Sequence, residues 1–307
     1  MNQVLLLLKK EMKFGGVDNP GAIDFTLPPD HADTKRVLST GKDNGLFEVF
    51  VGCAKWNRQD LKNFYPRGTK DELTYYSSQF NCIELNATFY NQPSRQQVST
   101  WKHKTPENFR FFPKITNSIS HYKRLLDTKM LVEEYCDAVS AFEEKLGMVF
   151  LQMHNNFKPK DFDRVEKFLA DFPKEIPLAV EVRNVEWFNN PVEAERFYQL
   201  LERQEKANTI VDTAGRRDML HMRLTTPQAF VRYVGANHES DYTRLDDWLI
   251  RVKEWREQGL NQLYFFVHQN LEKESPLLSA YFIQKLNKML DLDLKVPATL
   301  VNRQLSF

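Results

Sequence analysis

Eight short apolar runs, most of them separated by amphipathic stretches, constrain this chain more than any other feature. The runs are FEVFVGCA (47–54), CIELNATF (82–89), FRFFPKI (109–115), GMVFLQM (147–153), LAVEVRN (178–184), NTIVDT (208–213), AFVRYVG (229–235) and QLYFFVH (262–268). Their β-branched and aromatic content reads as strand. Residues 71–80, 130–146, 163–172, 193–204, 245–258 and 279–290 instead repeat apolar residues at three- and four-residue spacing. That is the stripe of a helix lying on a core. Strand–helix alternation implies a parallel sheet. Eight such units over roughly 240 residues predict a single (β/α)8 TIM barrel. The link between the sixth and seventh runs, GRRDMLHMRLTTPQ (215–228), lacks a helical stripe and reads as a loop with a short helical turn. A doubly wound open sheet is the alternative. It would place a glycine-rich phosphate turn after its first strand, and GCAKWNRQDLKNFYP (52–66) has none.

The barrel domain is predicted over residues 47–292. Residues 1–46 form an N-terminal arm, with Pro20, Pro28, Pro29 and five glycines between 13 and 45 arguing for extended chain. Residues 1–11 read as a disordered lead or an upstream mis-start, and residues 293–307 as a C-terminal tail. A net charge of +1 gives no whole-molecule field that would favour nucleic acid or a membrane surface. Cys53, Cys82 and Cys136 are widely spaced with no Cys-x-x-Cys pair, which fits a reducing cytoplasm. No apolar run approaches the roughly 20 residues of a membrane helix.

Several motifs occur in a characteristic order: VGCAKW (51–56), NFYP (63–66), FNCIELNATFY (80–90), WKHKTPENFRFFPKIT (101–116), SHYKRL (120–125), LGMVFLQM (146–153), VEVRNVEWF (180–188) and FVRYVG (230–235). Together they resemble the YecE-like family (domain of unknown function 72) from about residue 47 to about residue 290. The resemblance implies a TIM barrel and no settled activity. Three places depart from the family's usual look. Val234-Gly235 stands where a His-Gly pair is usual. Gln152 is followed by Met153, His154 and Asn155 instead of Leu-Pro-Pro. HQN (268–270) keeps only part of an asparagine-rich turn. His154 and His268 therefore draw no support from the family, whereas His121 does.

In a barrel the working groups sit at the C-terminal strand ends. Alternate residues of a strand face opposite sides, so Glu84 with Asn86, and Glu181 with Arg183, share a face. Glu84 and Glu181 are the acid/base candidates, with His121 beside them as base, metal ligand or phosphate contact. Lys114, Arg183 and Arg232 would form an anion pocket, extended by Arg216, Arg217 and Arg223. Asn86, Gln152, Asp212 and Asn270 complete the polar set. Trp56, Tyr90, Trp187 and Tyr233 offer flat faces for a sugar or base. The bland counterparts are an internal ion-pair brace, a solvated basic loop and aromatic capping of the barrel mouth.

A divalent metal held among Glu84, His121, His154, Glu181, Asp212 and His268 is a further option, and the cofactor is otherwise unknown. The expected function is an enzyme acting on a small anionic, phosphorylated or nucleotide-like substrate, with phosphoester hydrolysis as the reaction. The alternatives are a two-carboxylate glycoside hydrolase and a non-catalytic binder of small anions or nucleic acid.

Overall fold

The computed structural model describes residues 15–41, 45 and 47–299. All eight apolar runs contain strands: β1 Glu48–Cys53, β2 Cys82–Leu85, β3 Arg110–Pro113, β4 Val149–Gln152, β5 Leu178–Glu181, β6 Ala207–Thr213, β7 Gln228–Gly235 and β8 Gln262–Gln269. Every pairing is parallel. Six strands form one curled sheet in the order β1-β8-β7-β6-β5-β4, and β2 pairs with β3.

Two seams lie between these sheets. Across the β3–β4 seam, Gly147 N donates to Phe111 O (2.8 Å) and Ile115 N to Phe150 O (2.9 Å). The β1–β2 seam is bridged by side chains. Asn81 Nδ2 donates to Val49 O (2.7 Å) and its Oδ1 accepts from Val51 N (3.1 Å). The Tyr76 hydroxyl accepts from Cys53 N (2.7 Å) and donates to Cys82 O (3.1 Å). Each bond satisfies a backbone group that a regular ladder would otherwise pair.

Strand alternation sorts the side chains into layers. Cys82, Phe112, Met148, Phe150, Ala179, Ala207, Phe230, Tyr264 and Phe266 face inward and form one buried cluster. Its rings interlock: Phe112 lies 4.9 Å from Tyr264 and from Phe266, and Phe230 lies 5.0 Å from Phe266. The opposite strand faces pack under helices. This aromatic plug forms the apolar floor on which the polar layer rests.

Eight α-helices of six residues or more accompany the strands among the described residues. They are α1 Thr34–Ser39, α2 Glu72–Gln79, α3 Arg95–His103, α4 Lys129–Ser140, α5 Phe162–Asp171, α6 Pro191–Arg203, α7 Ser240–Gln258 and α8 Ser275–Leu290. Side chains of Asp71, Ser94 and Asn190 cap α2, α3 and α6 by accepting a first-turn backbone N–H. Gly259, at φ 122°, ends α7. The β6–β7 link holds only a 3-10 turn, Ala214–Met219, as its composition suggested. No helix among the described residues is long and apolar enough to cross a membrane.

Two features differ from the sequence expectations. Helix α3 has no predicted counterpart: Val98 is its one buried residue, so its apolar stripe is too thin to read. The arm is not simply extended, for it contains α1 and a 3-10 turn at Pro20–Ala22. It is also tied down along its length. Asp30 accepts from Arg251 (2.6 Å) and Trp255 (2.9 Å) of α7, and Arg217 donates to the Phe25 and Thr26 carbonyls. The expectation for residues 1–11 lies outside the described residues. Of the tail, Leu294 and Val296 pack on the outer core, and Ala298 N donates to Gln79 Oε1.

Candidate functional site

A polar layer of six side chains caps the aromatic floor: Glu84 (β2), Lys114 (just past β3), Gln152 (β4), Glu181 (β5), Arg232 (β7) and His268 (β8). Arg232 is its hub. Its Nε and Nη2 donate to Glu84 Oε2 (2.9 Å) and Oε1 (2.8 Å), and its Nη1 donates to Glu181 Oε2 (2.7 Å) and Gln152 Oε1 (3.3 Å). Strands β2 and β7 are neighbours in neither sheet. This bidentate pair therefore spans the interior and ties one sheet to the other. His268 Nε2 lies 2.9 Å from Glu84 Oε2, and Asn86 Nδ2 donates to Glu84 Oε1 (2.8 Å). Arg183 Nε donates to Glu181 Oε1.

The electrostatics follow from charges held over an apolar floor, where interactions exceed those in water. Burial alone would raise the Glu84 carboxyl, but Arg232 and then His268 outweigh it and hold it well below the usual range. Burial is likewise overcome at Glu181 by Arg183 and then Arg232, which bring it down to about 2. Both carboxylates are therefore ionised at neutral pH. Arg183 holds Glu181 ionised, as their shared strand face suggested, whereas Glu84, expected from the sequence to be the tunable partner, is held ionised as well.

That character belongs instead to Glu272, just beyond β8, whose burial pushes its carboxyl up against the opposing pull of His268. Its Oε2 accepts from Ser275 Oγ (2.6 Å), and its Oε1 lies 3.8 Å from His268 Nδ1. His268 thus stands between Glu84 and Glu272. Sequence reasoning missed Glu272. Its signal was position: it stands four residues past a histidine at a C-terminal strand end.

Above this layer opens a cavity of about 330 Å³, walled by Arg183, Arg232, Val234, His268, Gln269, Asn270 and Glu272, with residues 16–18 of the arm closing one side. Gly15 anchors the arm here. Its carbonyl accepts from Gly215 N (2.8 Å) and Thr213 Oγ1 (3.3 Å). At φ +84°, any Cβ on Gly15 would fall on the Thr213 hydroxyl.

A second group flanks Lys114. Its Nζ lies 3.0 Å from Gln152 Oε1 and 4.0 Å from the centre of the Phe89 ring. His121 packs edge-on against Phe89 (4.8 Å) and against His154 (5.3 Å). Burial first, then Lys114, then His154 bring His121 down to about 3. It is a neutral imidazole at physiological pH.

Other expected residues lie elsewhere. In β6, Thr209 shares the Phe230 face through their register, so Asp212 points to the opposite side. There it is buried against Arg217, Arg244 and Trp248. The same parity puts Tyr233 in the outer core, with its hydroxyl donating to Asp241 O (2.8 Å). Trp187 is fully buried, its Nε1 donating to Phe157 O (2.9 Å), and serves as core. Tyr90 is 66% exposed, and Trp56 packs edge-on against Trp101 beside a separate surface cleft. Neither lines the mouth cavity.

Arg232 lines the cavity, yet its Nε, Nη1 and Nη2 are all spent on Glu84, Glu181 and Gln152, so it braces the layer. The loop arginines are also engaged: Arg216 with Asp218, Arg217 with Asp212 and the arm, and Arg223 with Glu202. The proposed metal set does not assemble. Its two inner glutamates are paired with arginines and its aspartate faces outward. Among the described residues, the trio whose ligand atoms all lie within 4.8 Å of one another is His31, Asp33 and Glu195, between the arm and α6.

Comparison with known proteins follows the same outline. The family model described as "Protein of unknown function DUF72" matches residues 50–300. The chain belongs to the DUF72 family. The UPF0759 protein YecE of Escherichia coli (strain K12) is 26% identical over 272 residues, covering 81% of this chain and 97% of that protein. The UPF0759 protein YunF of Bacillus subtilis (strain 168) is 32% identical over 161 residues, 47% of this chain and 53% of its own. Among solved structures, a DUF72 family protein from Thermotoga maritima MSB8 superposes with a TM-score of 0.65 at 26% identity, covering 80% of this chain and 100% of that one. One from Enterococcus faecalis V583 gives 0.65 at 19%, covering 80% and 99%. The matched span begins after the arm, so residues 16–18 bring to the cavity a wall from outside the family region.

Proposed function

We propose that this chain is an enzyme acting on a small anionic substrate, carboxylated or phosphorylated, at the mouth of eight strands that work as one closed (β/α)8 ring. The seam bonds of Asn81 and Tyr76, the β3–β4 backbone bonds and the Glu84–Arg232 pair across the interior support closure. The observation that carries the reading is the mouth cavity, whose lining brings together the Arg183 guanidinium, the His268 imidazole and the Glu272 carboxyl. Arg183 and Asn270 supply the anion contact. His268 and Glu272 move protons, one as base and the other, raised by burial, as acid. Phosphoester hydrolysis is the reaction this pairing is proposed to serve. His268 would take a proton from water and Glu272 would give one to the leaving oxygen.

The glycosidase reading is weaker, because Glu84 and Glu181 both ion-pair with the guanidinium of Arg232. Three buried free thiols support a cytoplasmic setting. A nucleic-acid or small-anion binder without turnover is the remaining alternative. It would show affinity that falls steeply with salt.

The test is titration calorimetry with inorganic phosphate, paired with hydrolysis of p-nitrophenyl phosphate. Arg183→Ala should weaken phosphate binding about tenfold or more, the loss of a charge-assisted contact. Glu272→Gln should slow turnover about a hundredfold with binding kept. Phosphate that binds wild type and Arg183→Ala equally refutes the anion site.

A further inference from the structure

Lys114 is the one charged member of the polar layer whose hydrogen-bond partner is a neutral side chain. Its Nζ lies 3.0 Å from the Gln152 amide oxygen and over the Phe89 ring at 4.0 Å. Among the described residues it forms no ion pair, although two glutamates share the layer with it. Both carboxylates are turned to guanidinium groups instead. The side chain is buried, with the residue only 7% exposed. Its backbone is pinned from two strands: Lys114 N donates to Leu85 O (3.1 Å) and the next amide, Ile115 N, to Phe150 O (2.9 Å). The Thr88 hydroxyl donates to Lys114 O (2.7 Å). A rigid stem that carries an amine into a layer where cations already hold the carboxylates is how a nucleophilic lysine is built.

We propose that Lys114 is a covalent catalyst whose amine condenses with the carbonyl group of a small anionic aldehyde, ketone or 2-oxo acid. The inference rests on the anion reading of the mouth but not on hydrolysis, and it narrows the substrate class to anions that carry a carbonyl. Arg183 receives the charged end. The nitrogen lone pair forms the N–C bond as the carbonyl π pair moves to oxygen, and a nitrogen proton passes to that oxygen to give the carbinolamine. The second nitrogen proton leaves with the hydroxyl as water, and the C=N bond forms. No oxidant or reductant is required. Burial, then Arg232 and Arg183, lower the amine well below the ordinary lysine range against the pull of Glu181 and Glu84, the direction a nucleophilic amine needs. Neutral His121, against the same Phe89 ring, adds no positive charge there.

The experiment incubates the full chain at neutral pH with pyruvate or glyceraldehyde 3-phosphate and sodium cyanoborohydride, then maps modified lysines by peptide mass spectrometry. The reduced adduct is expected at Lys114 at about tenfold or more the level of any exposed lysine, since those remain protonated at this pH. Inorganic phosphate should suppress it, and Lys114→Arg should abolish it. The phosphate arm uses wild-type protein, so the test survives a variant that misfolds. Modification at Lys114 that phosphate does not suppress keeps the imine chemistry and overturns the anion site. Labelling confined to exposed lysines, with phosphate still bound by calorimetry, overturns the imine and leaves the anion site standing.

Discussion

Arg232 shows how one residue sets the character of the whole polar layer. It holds Glu84 by two bonds and Glu181 by one, in a buried layer beneath the mouth cavity. Removing it would leave two buried carboxylates with much of their charge uncompensated. Arg232→Leu is expected to destabilise the protein by about 3–5 kcal/mol, the usual cost of breaking a buried pair by deleting one partner. Adding Glu84→Gln should recover part of that loss, because it removes one stranded charge. Urea unfolding of the single and double variants measures both, and a single variant as stable as wild type would refute the bracing role. Of the strand-tip set marked in the sequence, Glu84, Asn86, Lys114, Gln152, Glu181, Arg183 and Arg232 meet, whereas Trp56 and Asp212 lie elsewhere. Which partner each takes was not legible, because pairing depends on side-chain reach across the interior. Whether a cation binds a ligand or braces a carboxylate is decided there.

The arm is the element whose behaviour departs furthest from its composition. Its prolines and glycines read as loose extended chain. Instead Gly15, Phe25, Thr26 and Asp30 are fastened in turn to the β6–β7 link and α7. A substitution at Gly15 tests the first fastening. Gly15→Val must place a branched side chain at φ +84° and on the Thr213 hydroxyl. Backbone strain of this kind costs about 1–3 kcal/mol, so local opening should become roughly fivefold easier or more. Limited proteolysis should cut within residues 15–30 faster than in wild type, while the thermal transition of the remaining chain is kept. Equal cleavage rates would detach the arm from the mouth. Helix α3 makes the complementary point. Its cap, Ser94, was present in the sequence, but a helix that buries Val98 alone leaves almost no periodic trace.

Across the whole molecule, buried titratable groups set an acid limit on stability. Glu181 is held down to about 2 from 4.5, and His121 and His221 to about 3 from 6.5, burial being the first cause for both histidines. In each case the unfolded chain takes up the proton at a higher pH than the folded one. Their stabilising contribution is therefore complete above pH 6.5, falls as the pH drops below it, and is lost by about 2. The urea midpoint should decline from pH 6.5 downward, and a midpoint flat between pH 7 and 4 would contradict this account. The sequence by itself determined the eight strands in order, six of the helices that accompany them and their parallel pairing, because these depend on local periodicity that each segment carries alone. Only the tertiary structure decided that Asp212 and Tyr233 face outward, that Trp187 is core, that Glu272 joins the mouth and that the arm walls it. Those outcomes depend on strand parity, on register and on contacts between segments far apart in the chain, which no single segment encodes.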